Sequence, residues 1–315
     1  AYCGFGYWAL VWQQIAVQMM TTLLILSLCK WKPSFIIRLS EVGSLLAFGS
    51  NLSGFNVFNY FARNTDNFLI GYFWGTAELG LYSKAYQLLM FPIQKINVPV
   101  STIAIPSLSR IVQEEERYKK AYLEMVEKIA ILMMPVVVFM IIDSKWLIQI
   151  LLGSQWVDAR SIFAWLGFAA LIQPITNTAG WIFITRGQTR QMFYWGVFSS
   201  LLTIISILIG LPWGALGVAI SYSLSGLFVR APLLFSFVEK ISPIRFSDYI
   251  STLKVPFMSS VFVFFSLNFV HKILAIENPF YGILLHCFIS FFVYVTITTL
   301  FYGKEKVRKI ISSLR

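Results

Sequence analysis

The sequence predicts an all-α integral membrane protein of about nine transmembrane helices, and three observations carry that expectation. Only 12% of the residues are charged, against about 25% in a soluble domain whose surface must be hydrated, so lipid has to be the solvent for most of the chain. Apolar residues make up 57% and recur in long runs separated by short polar or glycine–proline breaks. Aromatic residues reach 17%, which suits belts at the two membrane surfaces. A soluble enzyme is excluded by the same figures.

A helix needs about 20 apolar residues to cross the hydrocarbon layer. Runs of that size fall at roughly 5–28, 43–72, 79–109, 121–151, 158–184, 191–211, 214–237, 250–271 and 279–302. The first span stops at Lys30-Trp31-Lys32-Pro33, where charge and proline end a helix, and the second ends at Gly75-Thr76-Ala77-Glu78. Span three runs to the charged stretch Arg110 to Lys120, which opens span four with Glu116/Lys120 and Glu124/Lys128 at i,i+4 spacing. Span four closes between Asp143 and Asp158, and span five at Arg186-Gly187-Gln188-Thr189-Arg190. Leu211-Pro212-Trp213-Gly214 separates spans six and seven, Glu239 to Asp248 separates seven and eight, and His271 to Asn278 precedes the last.

Lys and Arg alternate between these breaks. Taken every second break, one side holds eighteen and the other only Lys145, Arg160 and Lys272. By the positive-inside rule the rich side faces the cytoplasm, which puts the C-terminus inside. The net charge of +11 is then explained by topology, not by a nucleic-acid partner. Trp74, Trp146, Trp156 and Trp213 fall at outer breaks and Trp31 at an inner one, as interfacial anchors do. The chain begins at Ala1 in an already apolar stretch, without Met or a signal-peptide n-region, so the expectation is that residues are missing before it.

No reaction chemistry stands out. Cys3, Cys29 and Cys287 are scattered without metal spacing and are expected to be buried small hydrophobes. His271 and His286 cannot by themselves make a histidine-rich metal site. No nucleophile lies near a base, there is no P-loop, and the outer loops are too short for an extracytoplasmic active site.

Charges within the spans are the stronger signal, because each costs at least about 2.5–3.5 kcal/mol on insertion scales and such groups usually face water or a partner. They are Arg63, Lys84, Lys95 and Arg230, with Asp66 three residues after Arg63 on one helix face. Arg63 and Asp66 make either a structural ion pair or a cationic lumen tuned by the carboxylate. Lys84 either snorkels to the interface or lines a cavity; Lys95 lies deeper, before Asn97 and Pro99. Arg230, near the inner end of its span, is expected to snorkel. Asn56, Asn59, Asn64, Asn67 and Gln94 sit on the same two spans, which predicts that spans two and three line a hydrated path. Pro92, Pro99 and Pro106 would kink span three.

The segments opening Gly6-Tyr7-Trp8-Ala9 and Gly214-Ala215-Leu216-Gly217 both run to a basic–proline stop, a repeat grammar found in transporters. More specific is the string Arg63-Asn64-Thr65-Asp66-Asn67-Phe68-Leu69-Ile70-Gly71, then Glu78-Leu79-Gly80-Leu81-Tyr82-Ser83-Lys84-Ala85-Tyr86. With Ile105-Pro106-Ser107-Leu108-Ser109-Arg110, Leu152-Gly153-Ser154-Gln155-Trp156 and Arg186-Gly187-Gln188-Thr189, it resembles the polysaccharide-transport, or Wzx-type, flippases of lipid-linked oligosaccharides. These belong to the multidrug/oligosaccharidyl-lipid/polysaccharide (MOP) exporter superfamily. The resemblance covers roughly residues 1–240 and is loose over the last two spans.

The resemblance implies a fourteen-helix fold of two six-helix lobes plus two C-terminal helices. Residues 1–40 would be the last helix of the first lobe and the linker, 41–240 the second lobe, and 241–315 the two added helices and a basic tail. It also implies movement of undecaprenyl-diphosphate-linked oligosaccharide units to the outer leaflet by alternating access, for O-antigen, capsule or exopolysaccharide synthesis. Arg63, Asp66, Lys84 and Lys95 would then be cavity residues, with no cofactor and with coupling to a proton or sodium gradient. The implied setting is the bacterial cytoplasmic membrane, beside membrane lipid and polysaccharide polymerase or export proteins. Alternatives are a multidrug or peptidoglycan-precursor exporter of the same superfamily and, from another class, a membrane glycan polymerase or acyltransferase.

Overall fold

The computed structural model describes residues 8–29, 39–274, 276, 278–303 and 305. The side chains of Leu10, residues 39–45, Ala47, Phe48 and Arg63 lie outside the described set. So do Cys3, the break at Lys30 to Pro33, Arg38, and the basic tail from Lys306 onward.

The chain forms two compact units, Ala1–Leu46 and Ala47–Arg315. In the first, helix α1 (Trp8–Leu28) has 21 residues, enough to span about 30 Å at 1.5 Å per residue. Its described side chains are nearly all exposed and mostly apolar, as on a helix solvated by lipid.

The second unit is built from most of α2 (Leu39–Arg110), α3 (Glu115–Ile142), α4 (Ser144–Leu151), α5 (Arg160–Thr185), α6 (Thr189–Gly210), α7 (Gly214–Ser225), α8 (Ala231–Glu239), α9 (Phe246–Ile273) and α10 (Pro279–Tyr302). Short 3-10 turns at Ser154–Ala159 and Leu211–Trp213 and a π-helical turn at Gly226–Arg230 join neighbours. There is no strand among the described residues, and seven apolar segments are long enough to cross a membrane. Two of these, Gly49–Arg110 and Thr189–Glu239, have 62 and 51 residues, more than twice the crossing length. Each contains a glycine with positive φ, Gly75 at 83° and Gly214 at 71°, a conformation that side chains with a Cβ resist.

At Gly75 the chain reverses. Sixteen residues of continuous helix would separate Asp66 from Tyr82 by about 24 Å, yet the Tyr82 hydroxyl donates to Asp66 Oδ2 at 2.9 Å. Ser83 Oγ donates to Asn67 Oδ1 at 3.0 Å, one position along the same hairpin.

The breaks gather by charge class, as the alternation requires. At the basic end, Lys119 pairs with Asp248 at 2.7 Å and Arg186 with Glu115 at 3.4 Å. At the opposite end, the Trp74 indole donates to the Leu211 carbonyl at 2.8 Å and the Ala215 amide to Glu78 at 3.4 Å. Lys119 and Arg186 thus reach across to other elements, Arg117 pairs locally with Glu114 at 3.1 Å, and among the described residues no ion pair joins Glu116 to Lys120 or Glu124 to Lys128.

One large core joins α2, α3 and α5–α8, with Phe163, Tyr118, Tyr122 and Ile182 fully buried. Its buried hydroxyls are paired, as a membrane interior demands. Tyr122 meets Thr178 at 2.7 Å and Tyr249 at 2.9 Å, and Tyr118 meets Thr185 at 2.7 Å. A second, much smaller core of Val138, Val263, Leu267 and Tyr294 fastens α9 and α10 to α3. Cys29 and Cys287 are exposed and free, not buried as expected, because they lie on outward faces of α10 and of the end of α1.

Candidate functional site

Inside the second unit a cavity of about 570 Å³ lies between the first half of α2, α5, α6 and the α7–α8 junction. Its walls carry Asn56 and Asn59 from α2, Gln173, Thr176 and Asn177 from α5, Ser199, Ser200 and Thr203 from α6, and Arg230. All of these elements belong to segments apolar enough to cross a membrane. Amides and hydroxyls at that depth point to a hydrated space. Asn56, Tyr60 and Asn177 are exposed and mark its opening.

Among the described residues, Arg230 is the cation of this cavity. The π-turn at Gly226–Arg230 inserts an extra residue into the helix, a local widening often found at functional positions. Across it the guanidinium folds back. Nη1 donates to Thr203 Oγ1 and Nη2 to the Tyr222 carbonyl, both at 2.9 Å, and the group lies 4.4 Å above the Tyr222 ring. Gly226 makes room for this, since a Cβ there would stand 3.1 Å from Nη2. Among the described residues no carboxylate pairs with Arg230, and its Nε is buried without a partner. The expected snorkelling is therefore replaced by an inward-held charge that keeps hydrogen-bonding capacity for an anion.

The residues singled out from sequence are not brought together. Asp66 is buried and accepts from Tyr82 and, at 2.7 Å, from the Asn67 amide, so it ties the two halves of α2. Lys84 is exposed, and Lys95 is exposed with its ammonium 5.6 Å over the Phe91 ring. None of these three lines the cavity, and the Arg63 side chain lies outside the described residues. Of the amides expected to mark a hydrated path, Asn56 and Asn59 line it, while Asn67 serves the hairpin. Gln173 and Asn177 on α5 were missed because span five carries no charge beyond Asp158 and Arg160 at its outer end to draw attention to it. From sequence Arg230 is a charge within its span that reads as a snorkelling residue, because its inward direction depends on the π-turn, which leaves no mark in residue spacing.

Comparison with known proteins gives this architecture a family. Residues 1–161 match the family described as polysaccharide biosynthesis protein. The chain is 27% identical over 232 residues to the teichuronic acid biosynthesis protein TuaB of Bacillus subtilis, covering 73% of this chain and 47% of TuaB. It is 22% identical over 232 residues to the lipopolysaccharide biosynthesis protein WzxC of Escherichia coli, with the same two coverages. The chain thus spans about half the length of the curated relatives it matches. Among solved structures, the inward closed conformation of the lipid II flippase MurJ shares the fold, with a TM-score of 0.68 at 20% identity over 90% of this chain and 59% of that one. Matched over half its residues, the chain is a multi-pass membrane protein that belongs to the polysaccharide biosynthesis protein family, the group its motifs resemble.

Proposed function

We propose that this chain is the second-lobe portion of a flippase that moves a polyprenyl-diphosphate-linked oligosaccharide unit from the cytoplasmic to the outer leaflet of the bacterial cytoplasmic membrane. The observation that carries the proposal is Arg230 in its polar cavity, a cation without a carboxylate partner in a space lined by amides and hydroxyls. Sugars are recognised by such neutral donors and acceptors, and a diphosphate by a guanidinium fork. A cation held at that depth disfavours cationic cargo, which argues against a multidrug exporter.

The excess of Lys and Arg at one end supports a cytoplasmic C-terminus. Arg63, Asp66, Lys84 and Lys95 keep a proposed part in the path. Asp66 would act by holding the hairpin that presents the other three.

The test is mass spectrometry of polyprenyl-linked intermediates in cells lacking the full-length gene. Build-up of a complete diphosphate-linked repeat unit, with surface glycan lost, is the expected result. An unchanged lipid pool with altered sensitivity to cationic drugs would overturn it.

A further inference from the structure

Far from the cavity, at the end of the molecule opposite the basic breaks, a second ionisable cluster is buried between elements the transport reading does not use. Asp143 occupies the junction of α3 and α4, and its Oδ1 lies 2.7 Å from Nδ1 of His286 on α10, with both side chains fully buried. Asp143 Oδ2 and His286 Nε2 are also buried, and neither has a partner. The Trp146 ring packs against both imidazoles, with centroids 5.2 Å from His286 and 5.1 Å from His271, and the two imidazoles are 5.9 Å apart. His271, on α9, is exposed. At Gly282 a Cβ would come within 2.5 Å of the Trp146 ring, so α10 lies directly on the indole.

This arrangement differs from a static structural pair. With Nδ1–H donating to the carboxylate, Nε2 carries either a lone pair or a proton. In the first case the buried pair bears one net negative charge; in the second it is neutral overall. Burial penalises the net charge, and the face of Trp146 favours an imidazolium. Of the other described ionisable side chains at this end, Lys145, Asp158, Arg160, Lys272 and Tyr281 are exposed, while Tyr122, Glu127, Lys128, Tyr249 and Tyr302 lie toward the opposite ends of the same helices. Tyr294, two turns further along α10, is buried with its hydroxyl unpartnered. Thus the charge of the joint is set by one proton, with the exposed His271 imidazole 5.9 Å from that of His286.

We propose that Asp143, His286 and Trp146, with His271 at the mouth, form a proton-binding site whose occupancy fastens the α9–α10 pair to the α3–α4 junction. The proton adds to Nε2 and leaves from it with no other bond made or broken. Apart from its packing along α9, α10 is held by the small core around Val138, Val263, Leu267 and Tyr294 and, at its C-terminal end, by the Tyr302 hydroxyl donating to Glu127 at 2.6 Å, so loss of the proton loosens the His286 end of α10 first. Use of this site to couple transport to a proton gradient rests on the flippase reading; the proton binding itself does not.

The experiment is imidazole ¹⁵N NMR of the full-length protein in nanodiscs, with His271→Gln and His286→Gln to assign the signals. Hydrogen exchange of α10 is followed over the same range, from about pH 4 to 9. The His286 signal is expected to titrate together with α10 protection, protection being highest where the imidazole is protonated. Asp143→Asn should lower proton affinity at His286 about tenfold or more, since an opposite charge at hydrogen-bond distance is removed. Gly282→Ala, which pushes α10 off Trp146, should reduce protection at every pH while His286 still titrates. A His286 that keeps one protonation state across the range, or a titration unmoved by Asp143→Asn, would overturn the proposal. So would α10 protection that does not follow the titration.

Discussion

Two regions of the molecule bury ionisable groups in opposite ways. In the cavity, Arg230 is held by neutral oxygens, the Thr203 hydroxyl and the Tyr222 carbonyl, in a space that opens at Asn56, Tyr60 and Asn177. At the α3–α4 junction, Asp143 and His286 face one another in a sealed joint. The first arrangement leaves charge available to an anionic ligand. The second is occupied by its own pair and, on the proposal above, exchanges a proton. The supporting packing differs in the same sense: the cavity is carried by the large core, whereas the joint lies beside a small core of Val138, Val263, Leu267 and Tyr294. Substitutions in the joint should therefore act on stability, and substitutions in the cavity on cargo.

Asp143→Ala carries the largest expected effect. Removing one member of a buried pair strands the other, at a cost of about 3–5 kcal/mol, and thermal unfolding in nanodiscs should report it. A change below about 0.5 kcal/mol, the usual range for substitutions away from special features, would erase the distinction between the regions. Gly226→Ala is expected to act more gently and on the other axis. Its Cβ, 3.1 Å from Arg230 Nη2, displaces the guanidinium by a fraction of an ångström. Transport should fall about two- to fivefold, the weight of part of one hydrogen bond, with abundance in the membrane unchanged. A loss of abundance instead would mean that the π-turn serves packing more than cargo.

Much of the fold was legible from the sequence because membrane crossing imposes a length and a charge rule on each run. Gly75 and Gly214 were readable as turns, and the contacts of Trp74 with Leu211 and of Lys119 with Asp248 join the breaks that the charge alternation assigns to the same end. The sites were less legible. Trp146 has the sequence position of an interfacial anchor yet is buried against two histidines, because α10 packs over it at Gly282. Asp143 and His286 are 143 residues apart, and nothing local to either announces the other. Arg230 stands near a span end by counting, but a widened turn and the glycine at 226 direct its head inward. In each case the deciding fact is a close approach between elements, which periodicity and composition do not encode.

The most direct measurement is the lipid-linked intermediate pool in cells whose sole full-length copy carries Arg230→Ala, compared with Arg230→Lys. The alanine variant is expected to accumulate the diphosphate-linked unit and to lower surface glycan output about ten- to a hundredfold, the range for hydrogen bonds to charged groups, at unchanged protein abundance. Lysine keeps the charge but not the fork, so it should recover part of the output. Wild-type levels of intermediate and glycan in Arg230→Ala cells would contradict the claim that this cavity receives the anionic cargo.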